Sequence, residues 1–211
     1  PFTVIPTCAD LERFQSLKKN NSSDKFVMGY LGTAGTWYLF EETAKCISIL
    51  IKNYPNSHFY IINRGEHKYI KESLIYAGVP EDRFTIKSAK HSEVPQLLQN
   101  IDAAIFFIKP VFSKKASAPT KLAEFLGSGI PCLVNDGVGD MGTVVKEEKV
   151  GVAISDFTYS EMENGINQIL QLATSEGIRQ RCMDVSKKYF SLEEGVKKYQ
   201  GIYESFEQGK K

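Results

Sequence analysis

The stretch Ser117-Ala118-Pro119-Thr120-Lys121-Leu122-Ala123-Glu124-Phe125-Leu126-Gly127-Ser128-Gly129-Ile130-Pro131 decides how the rest of the chain is read. Ser117 is a helix-capping residue type, Pro119 suits a first turn because an amide there has no intrahelical partner, and Gly127, Gly129 and Pro131 end the run. This predicts a short helix. Apolar runs flank it, Ile101-Asp102-Ala103-Ala104-Ile105-Phe106-Phe107-Ile108 before and Ile130-Pro131-Cys132-Leu133-Val134 after, and both read as buried strands of a parallel sheet. Strand, loop, helix, strand is a unit that turns free backbone amides toward an anion.

Two polar side chains on that helix carry chemistry. Lys121 and Glu124 are three residues apart and share a face near the helix start. A cation there can meet a phosphate, and a carboxylate can accept from two sugar hydroxyls. An exposed ion pair contributing about 0.2–0.5 kcal/mol satisfies the same spacing.

Working outward, Phe26–Leu31 is a first buried strand that runs into Gly32-Thr33-Ala34-Gly35-Thr36, followed by a helix from Trp37 to Asn53. A glycine turn between a first strand and a helix admits a ligand close to the backbone, so Gly32 and Thr33 are candidate contacts. The full Gly-x-Gly-x-x-Gly spacing is absent, and a plain tight turn explains the glycines equally. His58–Asn63 is a second strand with Arg64 at its carboxyl end, the edge where open α/β sheets bind ligands, although loop bracing is an ordinary role for an Arg there. Glu66–Tyr76 is a helix with Ile70, Leu74 and Ile75 inward, and Arg83–Lys87 is a third strand.

The loop from Lys87 and Ser88 through the polar residue His91 leads to a helix over Val94–Gln99. Beyond the central helix, Asp136–Asp140 is a turn with an Asp cap, and Val150–Ile154 is the last strand. Helices follow over Tyr159–Ala173, Ser175–Tyr189 and Leu192–Phe206, with Ser191 and Glu194 spaced as a capping box. Gln15–Asp24 reads as a polar loop, and the tail Glu207–Lys211 as mobile. Six strands alternating with helices predict an α/β, doubly wound, mostly parallel sheet.

Composition sets bounds. The chain has 211 residues and a net charge of +1, so it suits one domain, or one domain with an appendage, and has no general field for nucleic acid or a membrane. Cys8, Cys46, Cys132 and Cys182 form no Cys-x-x-Cys pair and read as reduced core residues. His58, His67 and His91 lack metal-ligand spacing, and no metal or other cofactor is expected. No apolar run approaches the ~20 residues of a membrane span.

The central stretch, with Asn135-Asp136-Gly137-Val138-Gly139-Asp140 after it, resembles the donor-site signature of retaining GT-B glycosyltransferases of the group 1, family 4 type. The resemblance implies a Rossmann-like six-stranded sheet with C-terminal helices, one half of a GT-B fold. It also implies transfer of a hexosyl or N-acetylhexosaminyl group from a nucleotide-diphosphate sugar to an acceptor with retention, in surface polysaccharide or glycolipid synthesis. Glu124 would hold the ribose. The helix start, Ser117, Pro119 and Thr120, would hold the diphosphate together with Lys121, and the Gly32–Thr33 turn would face the cleft beside it. The turn from Lys87 and Ser88 to Val94 would read the nucleobase through its backbone.

Two departures from that family stand out. Thr33, Thr36, Trp37 and Tyr38 replace the Arg and Lys common after the first strand, leaving Lys121 or the Lys114–Lys115 pair as cations. Ala116 replaces a Glu eight positions before Glu124. Pro1–Phe14 resembles the family's interdomain connection, which divides the chain into a connection and polar loop (1–24), a donor-binding domain (25–190) and a C-terminal helix with tail (191–211). An N-terminal acceptor-binding domain is then the missing partner, so this half binds donor without turnover. The implied location is cytoplasmic, with any peripheral membrane contact through the other half. The rival readings are a sugar-nucleotide epimerase half with His91 as its base, and a non-catalytic Rossmann-like interaction domain.

Overall fold

A computed structural model describes residues 3–15 and 25–208. The predicted polar loop, from residue 16 onward, and residues 209–211 of the tail lie outside the described residues. Six strands, β1 (Phe26–Leu31), β2 (Ser57–Ile62), β3 (Phe84–Lys87), β4 (Ala103–Ile105), β5 (Cys132–Asn135) and β6 (Gly151–Ile154), form one sheet in the order β3-β2-β1-β4-β5-β6. Every pairing is parallel. Sequence-adjacent strands are neighbours except where the chain crosses from β3 at one edge back to β4 beside β1. That reversal opens a crevice at the carboxyl ends of β1 and β4, where doubly wound sheets bind ligands.

The helices among the described residues are α1 (Glu12–Gln15), α2 (Phe40–Asn53), α3 (His67–Tyr76), α4 (Val94–Leu98), α5 (Thr120–Gly127), α6 (Met141–Glu147), α7 (Tyr159–Ala173), α8 (Ile178–Phe190) and α9 (Leu192–Gln208). α2 buries Phe40, Thr43, Ala44, Ile47, Leu50 and Ile51, a helical stripe that packs with α7, which buries Met162, Ile166 and Ile169. On the other side α5 lies against α8, where Ser186 Oγ donates to the Ala123 carbonyl at 2.9 Å. The central strands are apolar on both faces because both faces are covered. The edge strand β3, half covered, alternates partly buried Phe84 and Ile86 with exposed Thr85 and Lys87.

Several expectations shift. Strand 101–108 narrows to Ala103–Ile105, because the chain beyond it leaves the sheet to pair with the segment after β1. Ile75 is 46% exposed rather than inward, since only Ile70 and Leu74 of α3 reach the core. Ser117 does not cap α5: the helix starts three residues later, with Pro119 in the capping position in an extended conformation and no side chain capping it. Asp140 makes no side-chain cap on α6. Only half of the capping box forms, since Ser191 Oγ accepts from Glu194 N at 3.4 Å while the Glu194 carboxylate goes to Lys197. The end of α5 is as read: Gly129, at φ +77°, takes the left-handed turn that follows a helix.

The N-terminal segment is tied to the far end of the chain. Ala9 N donates to Phe190 O at 2.8 Å and Leu192 N to Ala9 O at 3.2 Å. Leu11 and Phe14 are buried in the same core as the sheet. This brings α1 beside α5.

Candidate functional site

The carboxyl end of β1 is built from three interlocking turns. Gly32, at φ +92°, turns the chain where a side chain would be strained, and its carbonyl accepts from Asn63 Nδ2 at 2.9 Å. Ala34 N and Gly35 N then donate, each at 2.8 Å, to the two oxygens of Glu66. Asn63, at the end of β2, also donates to Glu66 at 2.9 Å and accepts from the backbone N–H groups of Gly65 and Glu66. The turn after β1 is therefore a set of anion-seeking amides already holding an anion, the protein's own carboxylate. Burial pushes the Glu66 carboxyl up, but these hydrogen bonds and the nearby Lys121 charge together hold it below its ordinary value.

After that turn Thr36 sits at φ 61°, an unusual conformation for a β-branched residue. The chain then runs antiparallel to the segment after β4: Tyr38 pairs with Ile108, Leu39 N donates to Phe107 O and Lys109 N to Trp37 O, both at 2.9 Å. Buried Asn135 holds the Ile108 peptide at both ends, its Oδ1 accepting at 2.8 Å and its Nδ2 donating at 2.9 Å. These contacts fix Tyr38 and Phe106 over the crevice. With Tyr30 of β1, they form a box of aromatic rings.

Lys121, in the first turn of α5, fills that box. Helical side chains lean toward the N-terminus, which carries Lys121 toward the crevice. Its Nζ lies 3.5 Å from the Tyr38 ring centre, 4.6 Å from Tyr30 and 5.4 Å from Phe106. A Cβ on Gly32 would stand 3.6 Å from it. Lys121 is 7% exposed, and its Nζ is the one buried side-chain polar atom without a hydrogen-bond partner among the described residues. Burial lowers its pKa to about 7, against the opposing charges of Glu124 and Glu66. Glu124, half-buried one turn further along α5, is pushed up by burial and held back by Lys121 and Arg13. Arg13, on α1, reaches the loop before α4, its guanidinium 3.1 Å from His91 Nε2 and donating to the His91 carbonyl at 3.0 Å.

Among the residues singled out from sequence, Gly32, Lys121 and Glu124 meet at this crevice. Thr33 is exposed above it, and its carbonyl accepts from Tyr30 Oη at 2.6 Å. Ser117 and Pro119 are half-buried and Thr120 exposed at the start of α5; the Ser117 carbonyl lies so close to Gly139 that a Cβ there would stand 2.1 Å from it. Arg64 is exposed at the end of β2. Lys87 and Ser88 are exposed at the end of β3, with Ser88 Oγ 3.2 Å from His67 Nε2, and Val94 is buried at the start of α4. Lys114 lies over the Trp37 ring at 4.5 Å, on the rim of the same crevice.

Sequence reading missed Glu66, Tyr30, Tyr38 and Arg13. Tyr30 reads as core within a strand. Glu66 carried one usable signal, its place three residues after Asn63 at a strand end, where such a pair can satisfy turn amides. Among the described residues no group of three or more His, Cys, Asp or Glu side chains could hold a metal ion, and no helix is long and apolar enough to cross a membrane.

A doubly wound parallel sheet with Lys121 and its aromatic rings at the strand reversal defines an α/β domain of the Rossmann-like kind. The family model for glycosyl transferases group 1 matches residues 12–188, and the chain belongs to that family. The fold matches GT-B glycosyltransferase domains. Sucrose-phosphate synthase from Thermosynechococcus elongatus superposes with a TM-score of 0.77 at 15% identity, covering 98% of this chain and 53% of that one. A glycosyltransferase from Rickettsia africae ESF-5 gives 0.73 at 13%, covering 96% and 56%. The pneumococcal O-GlcNAc transferase GtfA, solved in complex with UDP and GlcNAc, gives 0.67 at 17%, covering 95% and 38%. The chain thus spans about half the length of these structures or less. No curated protein matches it in sequence. The family assignment does not favour the epimerase and interaction-domain rivals, and His91 is engaged by Arg13.

Proposed function

We propose that this chain is the donor-binding half of a retaining glycosyltransferase that takes a hexosyl or N-acetylhexosaminyl group from a nucleotide-diphosphate sugar. The observation that carries this reading is Lys121: a buried cation without a hydrogen-bond partner, in the first turn of a helix that no side chain caps, beside the strand reversal. A helix start and a lysine together suit a diphosphate, whose charge grows as the sugar leaves, and they need no metal for it. Glu124 accepts the ribose hydroxyls, and Ser117, Pro119, Thr120, Gly32 and Thr33 border the diphosphate. Arg64, Lys87, Ser88 and the turn before Val94 belong to the outer, nucleobase side.

The division of the chain into connection (1–24), donor domain (25–190) and terminal helix with tail (191–211) is part of the same reading. So are a separate acceptor-binding domain supplying the rest of the active site, a cytoplasmic setting, and an acceptor in surface polysaccharide or glycolipid synthesis. Support for a nucleotide donor comes from family membership and from the UDP complex of GtfA. Calorimetric titration with UDP, GDP and ADP, without and with magnesium, tests it: metal-independent binding of one of them is expected. Binding by none, or affinity unchanged in both Lys121→Ala and Glu124→Gln, would refute the donor site.

A further inference from the structure

Two amides of the turn after β1, those of Ala34 and Gly35, are already taken. They hold the two Glu66 oxygens at 2.8 Å and Asn63 adds a third donor, so an arriving phosphate finds neither amide free. Opposite stands Lys121, whose Nζ has no hydrogen-bond acceptor and is shielded from water by three rings. We propose that Glu66 is a positioning residue for the donor site: it holds the Ala34 and Gly35 amides of the β1 turn as an internal anion and serves as the counter-charge that favours the cationic form of Lys121, so that the diphosphate is received from the α5 side. This rests on the donor-site reading of the same crevice.

The groups around Lys121 are few and named. Tyr30 faces it from β1, Tyr38 and Phe106 from the paired segments after β1 and β4, Glu66 from the turn between β2 and α3, and Glu124 from its own helix. Arg13 of α1 bears on Glu124, and Tyr69 of α3 lies near Tyr30 and Glu66. The carboxylates alone favour a charged lysine. Of the two, Glu66 is fixed by three hydrogen bonds, whereas Glu124 is the residue assigned to the ribose and changes its surroundings when ligand binds. A permanent counter-charge at Glu66 is therefore what remains to hold Lys121 ready. It also spares the turn amides from competing for the phosphate.

The test uses Lys121 itself. In protein labelled with 13C at lysine Cε, the Lys121 pKa is measured by NMR for the wild type, Glu66→Gln and Glu66→Asp, and each is titrated with UDP and with inorganic pyrophosphate from about pH 5, where Lys121 is charged in all three, to about pH 9. Glu66→Gln keeps an acceptor for one amide but loses the charge. Its Lys121 pKa is expected to fall, and its pyrophosphate affinity at pH 8 to drop about tenfold, a factor that one pKa unit supplies. Glu66→Asp keeps the charge and is expected to keep the wild-type pH profile even where the shorter side chain weakens binding at every pH. A Lys121 pKa unchanged in Glu66→Gln, or affinity lowered equally at all pH values, would overturn the proposal and leave Glu66 a structural brace. A wild type that binds no diphosphate, with the pKa shift intact, would instead overturn the donor reading and the positioning role with it.

Discussion

Two places at the carboxyl edge of this sheet present backbone amides or a cation, and the chain treats them oppositely. At the turn after β1 the amides of Ala34 and Gly35 are satisfied by Glu66, and Asn63 binds the arrangement on both sides. At the start of α5 no side chain caps the first turn, and Lys121 waits in an aromatic box with its ammonium unpartnered. The first turn is finished as structure. The second is costly to leave as it is, because desolvating a charge without a full set of hydrogen bonds works against folding. A protein keeps such a group where something else makes use of it.

The largest expected effect separates the two costs. Lys121→Met removes the buried charge while keeping the stem that the rings enclose. Stability should hold or rise by about 1–3 kcal/mol in thermal or denaturant melts, while nucleoside-diphosphate affinity falls ~100-fold by calorimetry. A variant both weaker in stability and unchanged in binding would erase the contrast between the turns.

Proton linkage sharpens the same point. In the folded chain Lys121 loses its proton near pH 7, but unfolded it keeps it to the ordinary value of 10.5. Between those values the unfolded chain binds the extra proton, so stability should rise with pH across that window through this group. Affinity should run the other way. Above about pH 7 the site progressively loses its cation, and pyrophosphate binding should weaken by up to tenfold per unit, with Lys121→Met flat in both measurements.

Glu124→Gln should act mainly at one end of the ligand. Both ligands share the loss of one counter-charge to Lys121, and UDP affinity is expected to fall ~10-fold further than that of inorganic pyrophosphate, the order of one charge-assisted hydrogen bond. Equal losses for both would assign Glu124 to the phosphates. The smallest effect belongs to the finished turn: Gly32→Ala forces a Cβ into a left-handed conformation and should cost about 1–2 kcal/mol of stability in denaturant unfolding.

How much of this could be read from the chain follows from which forces were local. The strands and the α7 helix were legible because burial imprints a period on consecutive residues. The strand reversal between β1 and β4 followed from alternating strands and helices only as a class, not as an order. Lys121 and Glu124 were legible as a pair because they are neighbours on one helix. Their surroundings were not: Tyr30, Tyr38, Phe106 and Glu66 come from four separate segments, and nothing in a strand tyrosine announces that it will wall a lysine. Ser117 misled because capping chemistry is common in loops too. The chain there folds against Gly139 instead and reaches α5 through Pro119.

The most direct test follows the Lys121 side chain by NMR at pH 7.5 as UDP, or whichever nucleoside diphosphate binds, is added without metal. Its Cε resonance is expected to move to the protonated position in step with the calorimetric saturation, because the incoming phosphate supplies the acceptor that Nζ lacks. A Lys121 resonance that stays still while the nucleotide binds would place the diphosphate elsewhere and leave the buried lysine a matter of structure alone.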